Sequence, residues 1–414
     1  MTPTRLKLRS GQPLWLPPRV AHRAPRHAAL SGVARAEVVI VGGGITGSIA
    51  ALRFAEAGVD VVLLEADRSG FGSTGASSAL LLQEPDSRLS DLADRYGAAT
   101  AARIWRLSHD AAVALIALLE RLPHSSGVTR RDTIYYTTEA SGVEALHREY
   151  VARQRAGFEA LWLTPRALRE QAGIPARAGL RTRGNAHCDP FRACDAVTRA
   201  AVRSGARIFE RSPVGRIEAR RGGVTVRTAG GAVEARQVVI ATGYATRQFK
   251  PLAGRFEMSH TYVIATPPLD ARARRELGLQ DVLLWDTRRS YHYARWTTDH
   301  RLLLGGGDRP IRGGPAAARL SSATAEIRAH FEPLIPGLAD LPIEHAWEGR
   351  FANTPDSLPY VGPHRRYPSH AFALGYGGNG MTFGSLAGHL LVEQWQGKAS
   401  KDHALFAFNR LGAR

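Results

Sequence analysis

Glu37-Val-Val-Ile-Val41 is an apolar run behind a single charge, the pattern of a strand buried on both faces. Ile45, Ile49, Leu52 and Phe54 then recur at helical spacing, and Gly58 supplies a residue suited to closing a helix. Residues 59–64 read as a second buried strand ending at Glu65. Together these segments predict one βαβ unit. Beyond Ala76 the pattern turns helical, with helices expected at 87–96, 100–122 and 143–155, stopped by Pro123 and Gly157. Thr164-Pro165 and Asp189-Pro190 each set a capping side chain before a proline at the first helical position; the second helix ends near Gly205. Short strands are expected at 207–210, 214–219, 224–228 and 237–241, with Gly222-Gly223 and Gly230-Gly231 as hairpin turns. Further strands are expected at 261–266, 291–297 and 301–305, and residues 371–396 read as a strand, a glycine loop and a helix.

Composition narrows the class without naming it. The 414 residues are 44% hydrophobic and 22% charged, ordinary globular usage that excludes disorder or coiled coil over the whole chain. The longest helical-looking apolar run, 111–119, is far short of the ~20 residues a bilayer span needs, so no transmembrane segment is expected. Cys188 and Cys194 are too few to staple the fold and lack paired zinc-ligand spacing. That usage predicts a reduced, cytoplasmic protein with no metal site, and no signal-peptide core precedes the first strand. The net charge of +18 comes almost wholly from arginine, since lysine occurs only at positions 7, 250, 398 and 401. The arginines are scattered rather than gathered into a stripe, which argues for codon bias and against a nucleic-acid partner. Residues 1–35 form a basic leader, broken by Pro13, Pro17, Pro18 and Pro25 and expected to lie extended on the first domain.

Gly42-x-Gly44-x-x-Gly47 acquires meaning from its position between strand and helix. Gly42 permits the tight turn, Gly44 lets backbone approach a pyrophosphate, and Gly47 lets helix and strand pack closely. The helix N-terminus offers N–H donors and a positive dipole end. Glu65, closing the next strand, can accept the ribose hydroxyls of an adenosine and repels a 2′-phosphate, which argues against NADP. Val238-Val-Ile-Ala-Thr-Gly243 is a buried strand ending in a small-residue turn. It is similar to the Ala-Thr-Gly element of two-dinucleotide-binding flavoproteins, where that turn packs on the first phosphate loop. Only one Gly-x-Gly-x-x-Gly is present, so the electron donor is expected to be the substrate itself.

Three further stretches complete a pattern: Gly72-Ser-Thr-Gly-Ala-Ser-Ser-Ala-Leu80, Trp347-Glu-Gly-Arg-Phe-Ala-Asn-Thr-Pro-Asp-Ser-Leu-Pro-Tyr-Val-Gly362, and Gly375-Tyr-Gly-Gly-Asn-Gly-Met-Thr-Phe-Gly384. In this order they resemble the D-amino-acid oxidase superfamily of FAD oxidoreductases, nearest to its glycine oxidase, sarcosine oxidase and γ-glutamylputrescine oxidase branches. The resemblance implies an α/β fold: a doubly wound, Rossmann-like FAD-binding domain with an inserted antiparallel-sheet α+β substrate domain. Residues 36–90, 185–255 and 340–414 would form the first, and 91–184 and 256–339 the second.

The resemblance further implies non-covalent FAD held by Gly42, Gly44, Ile45, Thr46 and Gly47 at the pyrophosphate, and by Glu65 and Ala66 at the ribose. Ser73 and Thr74 would bond phosphate and ribityl oxygens; Ser78, Ala79 and Leu80 would line the isoalloxazine; Val214 would offer its backbone to adenine. Thr242 and Gly243 would back the phosphate loop. Backbone N–H groups along Gly377, Gly378, Asn379, Gly380, Met381 and Thr382 would face the flavin N1–C2=O end, where reduction develops negative charge.

The departures bear on substrate and acceptor. Phe351 stands where amino-acid-specific relatives carry a carboxylate-clamping arginine, with Arg350 one residue early. Gly378 stands where glycine oxidase carries a second arginine. Gly349 replaces the flavin-linking cysteine of sarcosine oxidase, and its oxygen-activating lysine falls near Leu303. Tyr293 and Arg350 are the candidate substrate contacts, with Tyr262, Tyr291, His292 and Arg295 nearby in sequence pattern. Strand alternation groups Tyr291, Tyr293 and Arg295 on one face, with His292 opposite, and turns Arg350 away from the face of Phe351.

The expected activity is oxidation of a C–N bond in an amine or amino acid by hydride transfer to flavin N5, with O2 or a quinone-type acceptor taking the electrons. Two alternatives stay open: a flavin dehydrogenase of a hydroxy acid or polyol passing electrons to quinone, and a non-catalytic FAD-binding module.

Overall fold

A computed structural model describes residues 7–21, 25–123, 126–311 and 313–412. Among these residues the strands assemble into two sheets, one of eight strands and one of ten. In the smaller sheet β2 (Gly32–Val41), β3 (Val61–Leu64), β8 (Arg207–Phe209), β11 (Gly231–Gly243) and β18 (Tyr367–Leu374) run parallel, in the order β18-β11-β2-β3-β8. β17 (Tyr360–His364) closes one edge antiparallel, and β9 (Val214–Arg220) and β10 (Gly223–Thr228) form a meander off β11 through the two expected glycine hairpins.

The continuous apolar runs follow from burial on both faces. Val38 and Ile40 pack on α1 (Ile45–Glu56), α5 (Pro190–Arg203) and α7 (Gly380–Trp395), while Val39 packs with Val226, Phe249 and Phe372 on the far side. β2 starts five residues earlier than expected because Gly32–Ala36 pairs with the equally extended start of β11. α3 (Ala98–Arg121), expected in the substrate domain, instead packs Ile104, Trp105 and Leu115 into the same core as Ile49. α2 (Leu89–Tyr96) begins two residues late because the buried Glu149 carboxylate accepts the Leu89 and Ser90 amides.

The larger sheet runs β1 (Arg9–Gly11), β16 (His345–Asn353), β12 (Glu257–Ala265), β15 (Leu302–Pro310), β14 (His292–Trp296), β13 (Leu283–Asp286), β5 (Thr129–Thr137), β7 (Ala178–His187), β4 (Leu80–Leu81), with β6 (Leu161–Leu163) pairing β7 off this path. It is antiparallel except where β13 meets β5. β5 and β7 were not legible as strands, since Arg130, Arg131, Arg181 and Arg183 break any apolar alternation. Two boundaries move. β16 lies inside the stretch expected to complete the FAD domain, yet pairs with β12. The leader does not simply rest on the first domain: Arg9–Gly11 adds an edge strand to the larger sheet through β16. Its residues 1–6 and 22–24 lie outside the described residues.

One face of this sheet, carrying Tyr262, Leu284, Ala294 and Trp296, packs under α6 (Ala316–Phe331). The other carries Val263, Trp285, Tyr293, Leu303 and Trp347, and meets Trp15 and Ala76. That second face looks toward the phosphate-loop end of the smaller sheet.

Candidate cofactor and substrate site

The glycine loop after β2 is built by close approach. Gly42 has φ +111°, and a Cβ there would sit 2.6 Å from the Ala241 carbonyl oxygen, so the 241–243 turn does pack on the loop. A Cβ at Gly47 would collide with the Gly42 carbonyl oxygen, fixing how closely α1 follows β2. Gly43 is equally constrained, because the Glu65 side chain lies over it. Glu65 Oε2 accepts the Gly43 N–H at 2.7 Å and Oε1 the Asp67 N–H at 2.8 Å. Its own backbone joins Phe209 and Ser212, which brings Ala66 and the start of β9 at Val214 to one corner.

α1 opens at Gly44 without a capping side chain of its own, and Thr74 Oγ1 accepts the Ile45 N–H at 3.0 Å. α7 runs parallel to α1: a Cβ at Gly384 would lie 2.9 Å from Thr46 Oγ1, and one at Gly388 2.9 Å from Ile49 Cγ2. Both N-termini therefore point to the same end, and both positive dipole ends converge there. Asn379 caps α7 with backbone alone, and its buried Oδ1 has no partner. The loop before α7 corrects one expectation. Gly377 N–H donates to Ala352 O at 3.1 Å and Gly378 N–H to Asp86 Oδ2 at 2.6 Å, so both amides are engaged within the protein. The donors at this end belong to the first turn of α7, Gly380 to Thr382, where helix amides have no intrahelical partner. Residues 82–86 anchor the loop: Asn379 Nδ2 donates to Glu84 O and Thr382 Oγ1 to Leu82 O.

Segment 76–79, expected to line the flavin, is held from behind. Trp347 Nε1 donates to Ala76 O, Trp15 Nε1 to Ser77 O, and Cys188 N to Ala79 O. Buried Arg295 gives Nε (3.0 Å) and Nη2 (2.7 Å) to Ser78 O. Burial lowers the Arg295 guanidinium to about 10. Burial, then the Arg295 charge, pushes His187 down to about 2, so His187 Nδ1 accepts from Arg295 Nη1 at 2.9 Å. Arg295 thus spends its donors on Ser78 O, His187 and Cys188 O within the protein. Ala79 adopts φ +54°, a conformation unusual for a residue with a side chain and of the kind that gathers at functional sites. Ser73 at this segment donates Oγ to Arg350 O.

Tyr293 stacks its ring over Gly305, leaving no room for a Cβ there. Tyr293, Gly305, Val263 and Trp347 form one cross-strand row, which puts Gly349, Phe351 and Thr261 on the same face. Tyr291 joins it, its ring 6.2 Å from Tyr293, while His292 opposes them as expected. Burial raises Tyr293 to about 12, opposed by the Ser78 and Thr261 hydroxyls. Arg350 does not join Tyr293. It pairs across from His260 on the α6 side of the sheet, with Tyr262 and Glu348, so the candidate pair is split between two faces.

Two carboxylates were missed. Asp86 accepts from the Tyr291 hydroxyl at 3.3 Å and from Gly378 N–H; burial, against those hydrogen bonds, raises it to about 6. Asp308 is raised to about 7 by burial, against a Thr261 hydrogen bond, and its Oδ1 has no partner. Elsewhere, Asp286 lies between His292 and His330. Those imidazoles stack 3.8 Å apart with planes 14° from parallel, and the three side chains offer ligand atoms within 4.8 Å of one another, a grouping that the expectation of no metal site did not foresee. Both cysteines are buried thiols pushed up to about 12 by burial.

A family model described as FAD dependent oxidoreductase, DAO, matches residues 37–394. The chain belongs to the DAO family. Gamma-glutamylputrescine oxidoreductase of Escherichia coli (strain K12) is 29% identical over 88% of this chain and 84% of its own. Glycine oxidase of Bacillus licheniformis is 28% identical over 55% of this chain and 59% of its own. Among solved structures, glycine oxidase from Geobacillus kaustophilus superposes with TM-score 0.75 at 23% identity, covering 91% of this chain and 99% of that one. As a DAO-family protein it is an FAD-dependent oxidoreductase. The residues fit that cofactor: a cradle at Gly42–Gly44 that side chains would fill, two converging helix N-termini, and the orphaned Asn379 Oδ1. Among the described residues no helix is long and apolar enough to cross a membrane.

Proposed function

We propose that this DAO-family protein oxidises the C–N bond of an amine or amino acid, with FAD bound non-covalently. The bound cofactor would supply a hydride acceptor for the carbon next to nitrogen; with loss of a proton from the amine, the imine would take up water to give a carbonyl compound and a released amine or ammonia. The chain's part is to bind and orient. The Gly42–Gly44 cradle, Thr46, Thr74 and Glu65 would hold the dinucleotide, and the first turn of α7 would stabilise negative charge at the flavin pyrimidine edge. Ser78 and Tyr293 would shape the space in which the substrate carbon approaches. Non-covalent attachment is supported at Gly349, which carries no nucleophile and where a Cβ would already lie 3.1 Å from Ala76 Cβ.

The observation that carries the reading is the facing of two built surfaces. The rigidly tethered segment 76–79, beside the two helix N-termini, looks onto the sheet face of Tyr293, Thr261 and Phe351. Anaerobic mixing with a panel of amines, amino acids, hydroxy acids and polyols tests it: an amine or amino acid should bleach the flavin absorbance. Bleaching confined to hydroxy acids or polyols, or by nothing at all, overturns it. Acid precipitation should leave FAD in the supernatant, and repeating turnover with and without O2 identifies the acceptor as O2 or a quinone-type compound.

A further inference from the structure

Resting on the amine reading above, the far end of the substrate can be specified. We infer that Asp86 and Asp308, with the Tyr291 hydroxyl beside them, hold a second ammonium group of the substrate, so that the protein takes diamines or their N-substituted derivatives in preference to α-amino acids.

Four observations converge. The first is what occupies the root of Gly378. A Cβ there would run into the Tyr291 hydroxyl and lie 3.2 and 3.3 Å from the two Asp86 carboxylate oxygens. Where the resemblance places glycine oxidase's second arginine, this chain sets acceptors. The charge of that subsite is inverted.

The second is how Asp308 reaches the face at all. Regular alternation along β15 puts Gly305 under Tyr293 and would put residue 308 on the α6 side. Gly306 at φ +128° and Gly307 at φ +65° form a bulge, marked by a register shift against β12 between His260 and Tyr262. The bulge turns Asp308 to Thr261 and sends Arg309 to Tyr262 and Glu326 on the other side. Bulges of this kind re-aim side chains beside active sites. Ser290, itself at φ +57°, holds the bulge by donating Oγ to Asp308 O at 2.7 Å.

The third is missing charge compensation. Acids elsewhere on this arginine-rich chain are repeatedly paired, yet among the described residues neither Asp86 nor Asp308 forms an ion pair. Asp308 Oδ1 is shut from solvent without a partner. A carboxylate so placed is costly unless a cation joins it, and a bound ammonium supplies one with three donors. The fourth is spacing. The Tyr291 and Tyr293 rings stand 6.2 Å apart, so Asp86, beside the first, and Ser78, beside the second, belong to one neighbourhood of the same sheet face.

The test compares three probes of equal chain length on the FAD-loaded protein: 1,4-diaminobutane, n-butylamine and 4-aminobutyrate. Calorimetric binding and anaerobic flavin bleaching are both read. The diamine should be preferred over n-butylamine by about tenfold or more, with 4-aminobutyrate weakest. Asp308→Asn keeps shape but removes charge and should lower that ratio by raising the diamine concentration needed, with a smaller effect on the limiting bleaching rate. Asp86→Asn provides a second, independent variant. Equal responses to diamine and monoamine, no calorimetric binding of the diamine, tighter binding of 4-aminobutyrate, or a ratio untouched in both variants overturns the inference. If monoamines bleach as well as diamines, the inference falls while amine oxidation stands. If hydroxy acids bleach and no amine does, the functional reading itself falls.

Discussion

Glu65 shows a residue whose position was legible and whose contacts within the protein were not. Its place at the end of a buried strand announces a ribose acceptor, but the structure adds that both carboxylate oxygens first tie down the loop, at Gly43 and Asp67. Glu65→Ala should therefore loosen the phosphate cradle as well as remove ribose contacts, with each charge-assisted hydrogen bond worth about 1.5–3 kcal/mol. FAD should be lost on gel filtration; full retention would show that the ribose is held elsewhere. Asp86 was illegible for a simple reason: its partner Gly378 lies 292 positions away, and no local pattern marks the pair. Asp308 was illegible because only the bulge turns it inward. Its carboxyl also yields a pH-dependent prediction. Burial raises it from 3.8 to about 7, so the folded state favours the protonated form. Stability from this group is full below pH 4, declines as pH rises, and is gone above about 7. Asp308→Asn should thus raise Tm at pH 8, by ~2–4 °C for each kcal/mol regained, and leave it nearly unchanged at pH 4. A Tm that falls at pH 8 would mean that the carboxylate is compensated in the ligand-free protein.

Among the elements, legibility follows burial. β2, β3 and β11 are covered on both faces and read as apolar runs; α1 and the proline-led α5 carry their own start signals. β5, β7 and β16 carry polar or charged residues on at least one face, and their pairing is decided by strands far away in sequence. The parallel contact of α1 and α7 was likewise out of reach. Its glycines, Gly384 and Gly388, look like ordinary helix residues until Thr46 and Ile49 are seen against them. That contact aims two helix dipoles at one place, so the spacing of α1 should matter to cofactor binding more than to folding. Gly47→Ala tests it, since the new methyl meets the Gly42 carbonyl oxygen and must push α1 from β2. Overpacking of this kind costs about 1–3 kcal/mol, and the displaced loop should weaken FAD binding by more than Tm falls. Equal FAD affinity in the variant would show that the α1 N-terminus tolerates displacement.

For the molecule as a whole, the segment 76–79 is where tethers from several parts of the chain meet. Trp347 reaches that segment from β16 of the larger sheet, Arg295 from β14 of the same sheet, and Trp15 from the leader. The leader is thereby part of the site's frame: Arg9–Gly11 pairs with β16, Leu8 O accepts the Arg350 N–H, and Leu16 packs against Gly75. Trp15 also lies beneath the Arg295 guanidinium, 5.3 Å from ring centre to charge. Its removal takes away one tether directly and loosens a second, while leaving the Gly42–Gly47 cradle and Glu65 untouched. Trp15→Ala should consequently separate two properties that Glu65→Ala loses together. Tm should fall, since truncating a buried tryptophan costs about 3–5 kcal/mol. The adenosine end of FAD should still bind, but the flavin absorbance and fluorescence should report a more mobile, more solvent-exposed ring, and bleaching by the best amine should slow. Trp15→Phe, which keeps the packing but not the donor to Ser77, should recover most of the Tm and little of the bleaching rate. If Trp15→Phe restores both alike, the leader contributes packing alone and the Ser77 tether plays no part in placing the flavin.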